Sequence, residues 1–139
     1  MFGANKKTEY QNNNLHLVLI CDEAGIFDTF KVIKDCLTKR GETFLSLIYT
    51  IPNNILNPMF ERELRILGKR YSHSLFIYKL KIESRDYELI QGFIEAIINS
   101  NTNPKMQFSV SGSGEFVSHV TRLLGYLNID SCYIKSDIV

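Results

Sequence analysis

Five strand-like segments take turns with four amphipathic helical segments along the 139 residues, and this alternation predicts a doubly wound α/β domain. The expected architecture is a five-stranded parallel sheet with helices on both faces. The run Leu17-Val18-Leu19-Ile20-Cys21 places five apolar residues in a row, as a strand buried on both faces requires. Every strand-to-strand connection is long enough for a right-handed crossover.

Bulk properties narrow the function classes. An apolar fraction of 45% and a charged fraction of 22% belong to an ordinary globular chain, and the length allows one core without metals or disulfides. A net charge of +1, with no basic run interleaved with aromatics, argues against a nucleic-acid partner. No apolar run approaches a membrane span and the first residues lack a signal-peptide layout, so a cytoplasmic protein with no membrane partner is expected. Cys21, Cys36 and Cys132 are odd in number and widely spaced, fitting neither a disulfide framework nor a zinc site. Each is expected to be a small buried residue of a strand or helix. His16, His73 and His119 lie far apart without metal or triad partners, so no metal ligand and no catalytic residue is expected.

Residues 1–14 are mostly polar and read as a flexible lead-in or linker remnant, leaving 15–139 as the domain. After the first strand, Ile26, Phe30, Ile33 and Leu37 recur at helical spacing, with Asp28 in the first turn, Lys39 and Arg40 in the last and Gly41 beyond. Thr43 to Thr50 reads as the second strand and 51–57 as its loop. Asn57-Pro58 reads as an N-cap and first helical position, followed by the stripe Phe60, Leu64, Leu67 and Tyr71 and a Glu61–Arg65 ion pair. Leu75 to Ile82 is the third strand. Ser84 is placed to cap a helix carrying Tyr87, Ile90, Ile94 and Ile97. Met106, Phe108 and Val110 alternate into the fourth strand, Phe116, Val120, Leu124 and Leu127 stripe the fourth helix, and Cys132 to Ser136 is the fifth strand.

Such sheets bind ligands outside the carboxyl ends of their strands, which directs attention to the turns after strands one, three and four. Asp22-Glu23 after the first strand resembles the acid pair of bacterial receiver domains, with Lys135 in place of their phosphate-binding lysine. The third strand, however, ends Ile82-Glu83-Ser84-Arg85 without the acceptor aspartate, and Ser136 follows the lysine where proline is expected.

A second resemblance covers nearly the whole chain from Leu15. Leu19-Ile20-Cys21-Asp22-Glu23-Ala24-Gly25-Ile26-Phe27-Asp28 resembles, in register, the Leu-Ile-Ala-Gly-Gly-Thr-Gly-Ile-Thr-Pro segment that opens the pyridine-nucleotide domain of the ferredoxin reductase family. Ser111-Gly112-Ser113-Gly114-Glu115-Phe116 is similar to that family's Cys-Gly-Pro-x-x-Met. Asn57-Pro58-Met59-Phe60 with Glu63-Leu64, and Ser84-Arg85, match two further positions. The middle segment is most similar to oxygenase reductases such as the reductase component of phenylacetyl-CoA epoxidase.

The resemblance implies the NAD(P)H-binding half of a flavin-dependent electron-transfer oxidoreductase. It implies NAD(P)H as cofactor, FAD only through a separate or missing domain, and a flavin-binding domain or subunit and an iron–sulfur protein as partners. Gly25, Ile26 and Phe27 would approach the pyrophosphate, Ser84 and Arg85 the adenosine ribose, and Ser111, Gly112, Ser113 and Phe116 the nicotinamide end. Against this, Asp22 and Glu23 stand where the family has glycines. A carboxylate about 5 Å from a phosphate costs roughly 3 kcal/mol at an effective dielectric near 20. Ser111 replaces the cysteine near the nicotinamide. The alternative is therefore a non-catalytic interaction module with a decayed nucleotide cleft, whose Asp22 and Glu23 form a solvated acidic rim.

Overall fold

The computed structural model describes residues 15–39, 43–83 and 87–139. The strands are β1 (Leu15–Cys21), β2 (Thr43–Pro52), β3 (Leu75–Ile82), β4 (Lys105–Gly112) and β5 (Ile134–Ile138). The helices are α1 (Ile26–Thr38), α2 (Glu61–Arg70), α3 (Tyr87–Ser100) and α4 (Gly114–Tyr126). All strands pair in parallel in the order β3-β2-β1-β4-β5. The chain winds outward from β1 to one edge, then restarts beside β1 with β4, so the switch point lies between β1 and β4. Flavodoxin-like sheets, the receiver type among them, run 2-1-3-4-5, so this order rejects the receiver resemblance.

The apolar run of β1 is buried because it is covered on both sides. Val18 and Ile20 join Ile48, Phe108 and Val110 under α3 and α4, where Ile90, Ile94, Val120 and Leu124 pack. Leu19 and Cys21 join Leu45, Leu47 and Tyr49 under α1 and α2 with Ile26, Ile33 and Leu64. No helix among the described residues is long and apolar enough to cross a membrane.

Several local expectations are corrected. Helix α2 begins at Glu61, three residues after Pro58, because Phe60 takes a left-handed conformation with φ 64°. Tertiary contacts override the Asn57-Pro58 start signal. The Phe60 ring stacks on Phe30 with centroids 4.2 Å apart, the Tyr49 hydroxyl donates to the Met59 carbonyl at 3.3 Å, and Pro58 closes a turn onto the Glu61 amide at 3.3 Å. Glu61 pairs with Lys79 of β3 at 3.3 Å in place of the expected Arg65. Helix α1 ends at Thr38 with Lys39 extended, so no basic residue occupies its last turn; Arg40 and Gly41 lie outside the described residues, as does the expected cap Ser84. Cys21 is buried and Cys36 half-buried, but Cys132 is exposed in a 3-10 turn, Ser131–Tyr133. The Asp130 carboxylate accepts from the Cys132 amide at 3.2 Å, fixing that turn and delaying β5 to Ile134.

Two measurements probe this packing. A left-handed Phe carries roughly 1–2 kcal/mol of backbone strain, so Phe60→Gly is expected to be about 1 kcal/mol more stable than Phe60→Ala in urea unfolding, both variants having lost the stacked ring. Tyr49 is 1% exposed, and burial, reinforced by Cys21, Glu23, Asp22 and Glu61, pushes its phenol up to about 12. The unfolded chain releases that proton near pH 10, so the contribution is intact below 10 and is lost as pH rises toward 12. Burial also raises the Cys21 thiol. Tyr49→Phe is expected to lessen the alkaline stability loss by on the order of 2 kcal/mol, measured as urea midpoints at pH 9 and 12, with the Cys21 part remaining.

Candidate functional site

The ends of β1 and β4 carry two strand-to-helix turns that touch each other. Gly25 is the N-cap of α1, and a Cβ there would overlap the Ser111 carbonyl and come within 2.8 Å of the Gly112 nitrogen. Only a glycine lets the first turn lie against the second. Asp22 closes the arrangement. Its Oδ1 accepts from the Ala24 amide at 2.9 Å and the Gly25 amide at 3.0 Å, and its Oδ2 accepts from the Ser113 amide at 3.2 Å. The Asp22 amide in turn donates to the Ser111 carbonyl at 3.4 Å. A Cβ on Gly112 would fall on the Asp22 carboxylate.

Beside these turns opens a cleft of about 550 Å³ lined by Asp22, Glu23, Ser113 and Phe116, with Thr50 and Pro52 from the end of β2 and Ile82 and Glu83 from the end of β3. Tyr87 and Glu115 complete it. Its described lining holds four carboxylates and no lysine or arginine. Among the described residues no three His, Cys, Asp or Glu side chains come together to hold a metal.

The structure brings together only some of the expected residues. Ser113 and Phe116 line the cleft, and Gly25 and Gly112 lie against each other at the turns beside it. Ser113 is also the N-cap of α4, its hydroxyl accepting from the Phe116 amide at 3.3 Å. Ile26 is a fully buried core residue, because the first turn of α1 faces the sheet. Phe27, on the opposite side of that turn, is 53% exposed beside Phe60 and under the Lys31 ammonium. Ser111 is buried and opposite Cys21 in the ladder. Strand alternation turns it to the α1 face, away from the cleft side where Val110 points. Its hydroxyl has no hydrogen-bond partner among the described residues. Ser84 and Arg85 lie outside the described residues. Asp22 and Glu23 both line the cleft; Asp22 is half-buried with its carboxylate held by three backbone amides, and Glu23 is exposed.

Thr50 and Tyr87 were not anticipated. Thr50 lies two residues before the end of β2 and donates to the Cys21 carbonyl at 3.3 Å, a position the carboxyl-end rule could have flagged. The Tyr87 ring stacks on His119 with centroids 4.3 Å apart, a pairing across two helices that sequence spacing does not reveal.

No protein-family model matches the chain, and no curated protein matches it by sequence. Solved structures do match. Ferredoxin-NADP+ reductase from Plasmodium falciparum aligns at 14% identity with a TM-score of 0.72, over 96% of this chain and 55% of that one. The CS-b5R domains of human Ncb5or, in the NAD+ form, align at 17% identity with a TM-score of 0.71, over 93% of this chain and 38% of that one. The cytochrome b5 reductase domain of Ulva prolifera nitrate reductase aligns at 14% identity with a TM-score of 0.66, over 88% of this chain and 49% of that one. The chain therefore has the fold of a ferredoxin reductase-like NAD(P)-binding domain, and it spans about half or less of the solved chains it matches.

The residues present do not fit the pyrophosphate of a bound pyridine dinucleotide. The amides that would receive it at the two turns already hold the Asp22 carboxylate, and Glu23 and Glu83 stand on the same cleft.

The two glycines predict different responses to substitution. Gly112→Ala is expected to cost roughly 1–3 kcal/mol in the parent and much less in an Asp22→Ala background, because the obstruction is the Asp22 side chain. Gly25→Ala meets backbone and is expected to cost the same with or without Asp22. A urea-denaturation double-mutant cycle measures both couplings.

Proposed function

We propose that this domain keeps the reductase fold as a non-catalytic, partner-binding module whose nucleotide cleft has decayed. The observation that carries the reading is the acidic lining where a dinucleotide would lie. Displacing Asp22 from three amide donors, at about 1.5 kcal/mol for each bond to a charged group, amounts to roughly 4.5 kcal/mol, or about a thousandfold in affinity. A micromolar ligand becomes a millimolar one before the remaining carboxylates are counted.

The fold neighbours supply an analogy for the partner class. One is a flavohemoglobin with bound FAD and heme, and another is an FAD/NAD binding domain. By that analogy the partner is a flavin-binding domain or subunit, with an iron–sulfur protein as a further electron-transfer candidate. Phe27, Leu56 and Met59 are each more than half exposed on α1 and the β2–α2 loop, at the same end of the sheet as the cleft. Exposed apolar side chains grouped at one end of a domain suit a contact surface.

The second reading is the NAD(P)H-binding half of a flavin-dependent electron-transfer oxidoreductase. The contact between the Gly25 and Gly112 turns beside one cleft favours it. Calorimetric titration with NADH and NADPH separates the two. No heat of binding up to millimolar nucleotide is the expected result, and micromolar affinity for either would replace the first reading with the second.

A further inference from the structure

We infer that the outer edge of β5 pairs with the same edge of a second copy of this chain, antiparallel about Ser136, joining two sheets into one. β5 is the last strand of the ladder, with no strand beyond it among the described residues, and four of its five residues are exposed. The Val139 amide donates to the Gly112 carbonyl at 2.9 Å, so the odd-numbered backbone groups of this strand face β4. Alternation then turns the amides and carbonyls of Ile134, Ser136 and Ile138 outward, ready for another strand.

Edge strands usually carry a charge that opposes self-pairing. Here the charges do the reverse. Pairing centred on Ser136 sets Lys135 against the second copy's Asp137, and Asp137 against its Lys135, at the non-hydrogen-bonded positions where side chains come closest. Centring on Lys135 or on Asp137 would set like charges opposite each other, so charge selects one register. On the other face Ile134 meets the second copy's Ile138. That is the α4 side, where Ile134 packs on the core and Ile138 lies 3.9 Å from where a Cβ on Gly114 would stand. Ile138 is 71% exposed in the single chain. The opposite edge of the sheet has no such match, because β3 carries Lys79 and Lys81 two residues apart and antiparallel self-pairing about Leu80 sets lysine against lysine.

The covering helix leaves room for the second copy. α4 touches both β4 and β5, and His119 marks the flank that faces α3 by stacking on Tyr87. The opposite flank carries only small residues at helical spacing, Gly114, Ser118, Thr121 and Gly125, and a Cβ on Gly125 would meet nothing within 4 Å. Strands about 4.8 Å apart bring the two α4 helices to about 10 Å, a packing distance that small side chains allow.

Sedimentation of the 139-residue chain tests the pairing. A monomer–dimer equilibrium is expected between about 10 µM and 1 mM, the range of a small interface. Lys135→Asp and Asp137→Lys each set like charges across the axis and are expected to weaken dimerisation about tenfold or more. Mixed in equal amounts, these two variants are complementary at both pairs, and dimer is expected to return to the parent level. Ser136→Pro removes the central outward amide, spares the bonds to β4, and is expected to be folded and monomeric. A parent that stays monomeric, single variants that dimerise like the parent, or a mixture no more dimeric than its components overturns the inference. Should a charge variant fail to fold, hydrogen exchange in the parent decides: slower exchange of the Ile134, Ser136 and Ile138 amides at higher protein concentration supports the pairing, and unchanged exchange overturns it.

Discussion

One carboxylate joins the two turns at the centre of the sheet's carboxyl end. Asp22 belongs to the turn after β1, yet one of its oxygens holds the turn after β4, 91 residues away in sequence. The two strands are neighbours in the ladder, and at their ends the ladder hands over to a side chain. A short acidic side chain suits this position because it carries two acceptors in one plane, and the converging donors are amides at helix starts, where nothing inside the helix can satisfy them. The same bonds that organise the turns make the site unlike a nucleotide cradle.

The architecture was legible because it is written in spacing. A five-residue apolar run, helical stripes of four and alternation in β4 each follow from burial on two faces, one face and one side. Gly25 and Gly112 were legible as a pair because each follows a strand and precedes a helix. What stayed hidden was set by contacts between distant residues. Nothing around Asn57-Pro58 indicates that Phe60 will be drawn out of the helix by Phe30, or that Glu61 will find Lys79 across the β3 edge. Acidic residues after β1 were visible, but their roles were not: Asp22 and Glu23 are adjacent in sequence, and only the folded turns show that the Ala24, Gly25 and Ser113 amides hold the first and leave the second exposed.

The opposite end of the sheet has a different logic. His16, at the start of β1, is 8% exposed and lies between Asn101 and Ser46, with its Nδ1 at 2.9 Å from the Asn101 side-chain oxygen and its Nε2 at 2.7 Å from the Ser46 hydroxyl. Asn101 also accepts from the Asn103 amide at 3.1 Å, so one imidazole ties the loop after α3 to the sheet. The two ends of β1 are thus pinned by polar side chains of opposite character, an acid at one and an imidazole at the other, with apolar residues between.

The contact between Gly112 and Asp22 also gives the site a direction in time. A lineage that lost the acid first would be free to acquire a side chain at residue 112, after which an acid could not return without a collision. A lineage that changed residue 112 first would pass through a poorly folded ancestor. Closing the site with an acid is therefore easy while residue 112 is glycine and hard once it has gained a side chain, and the present pair, acid facing glycine, is a state from which the acid can be lost and regained.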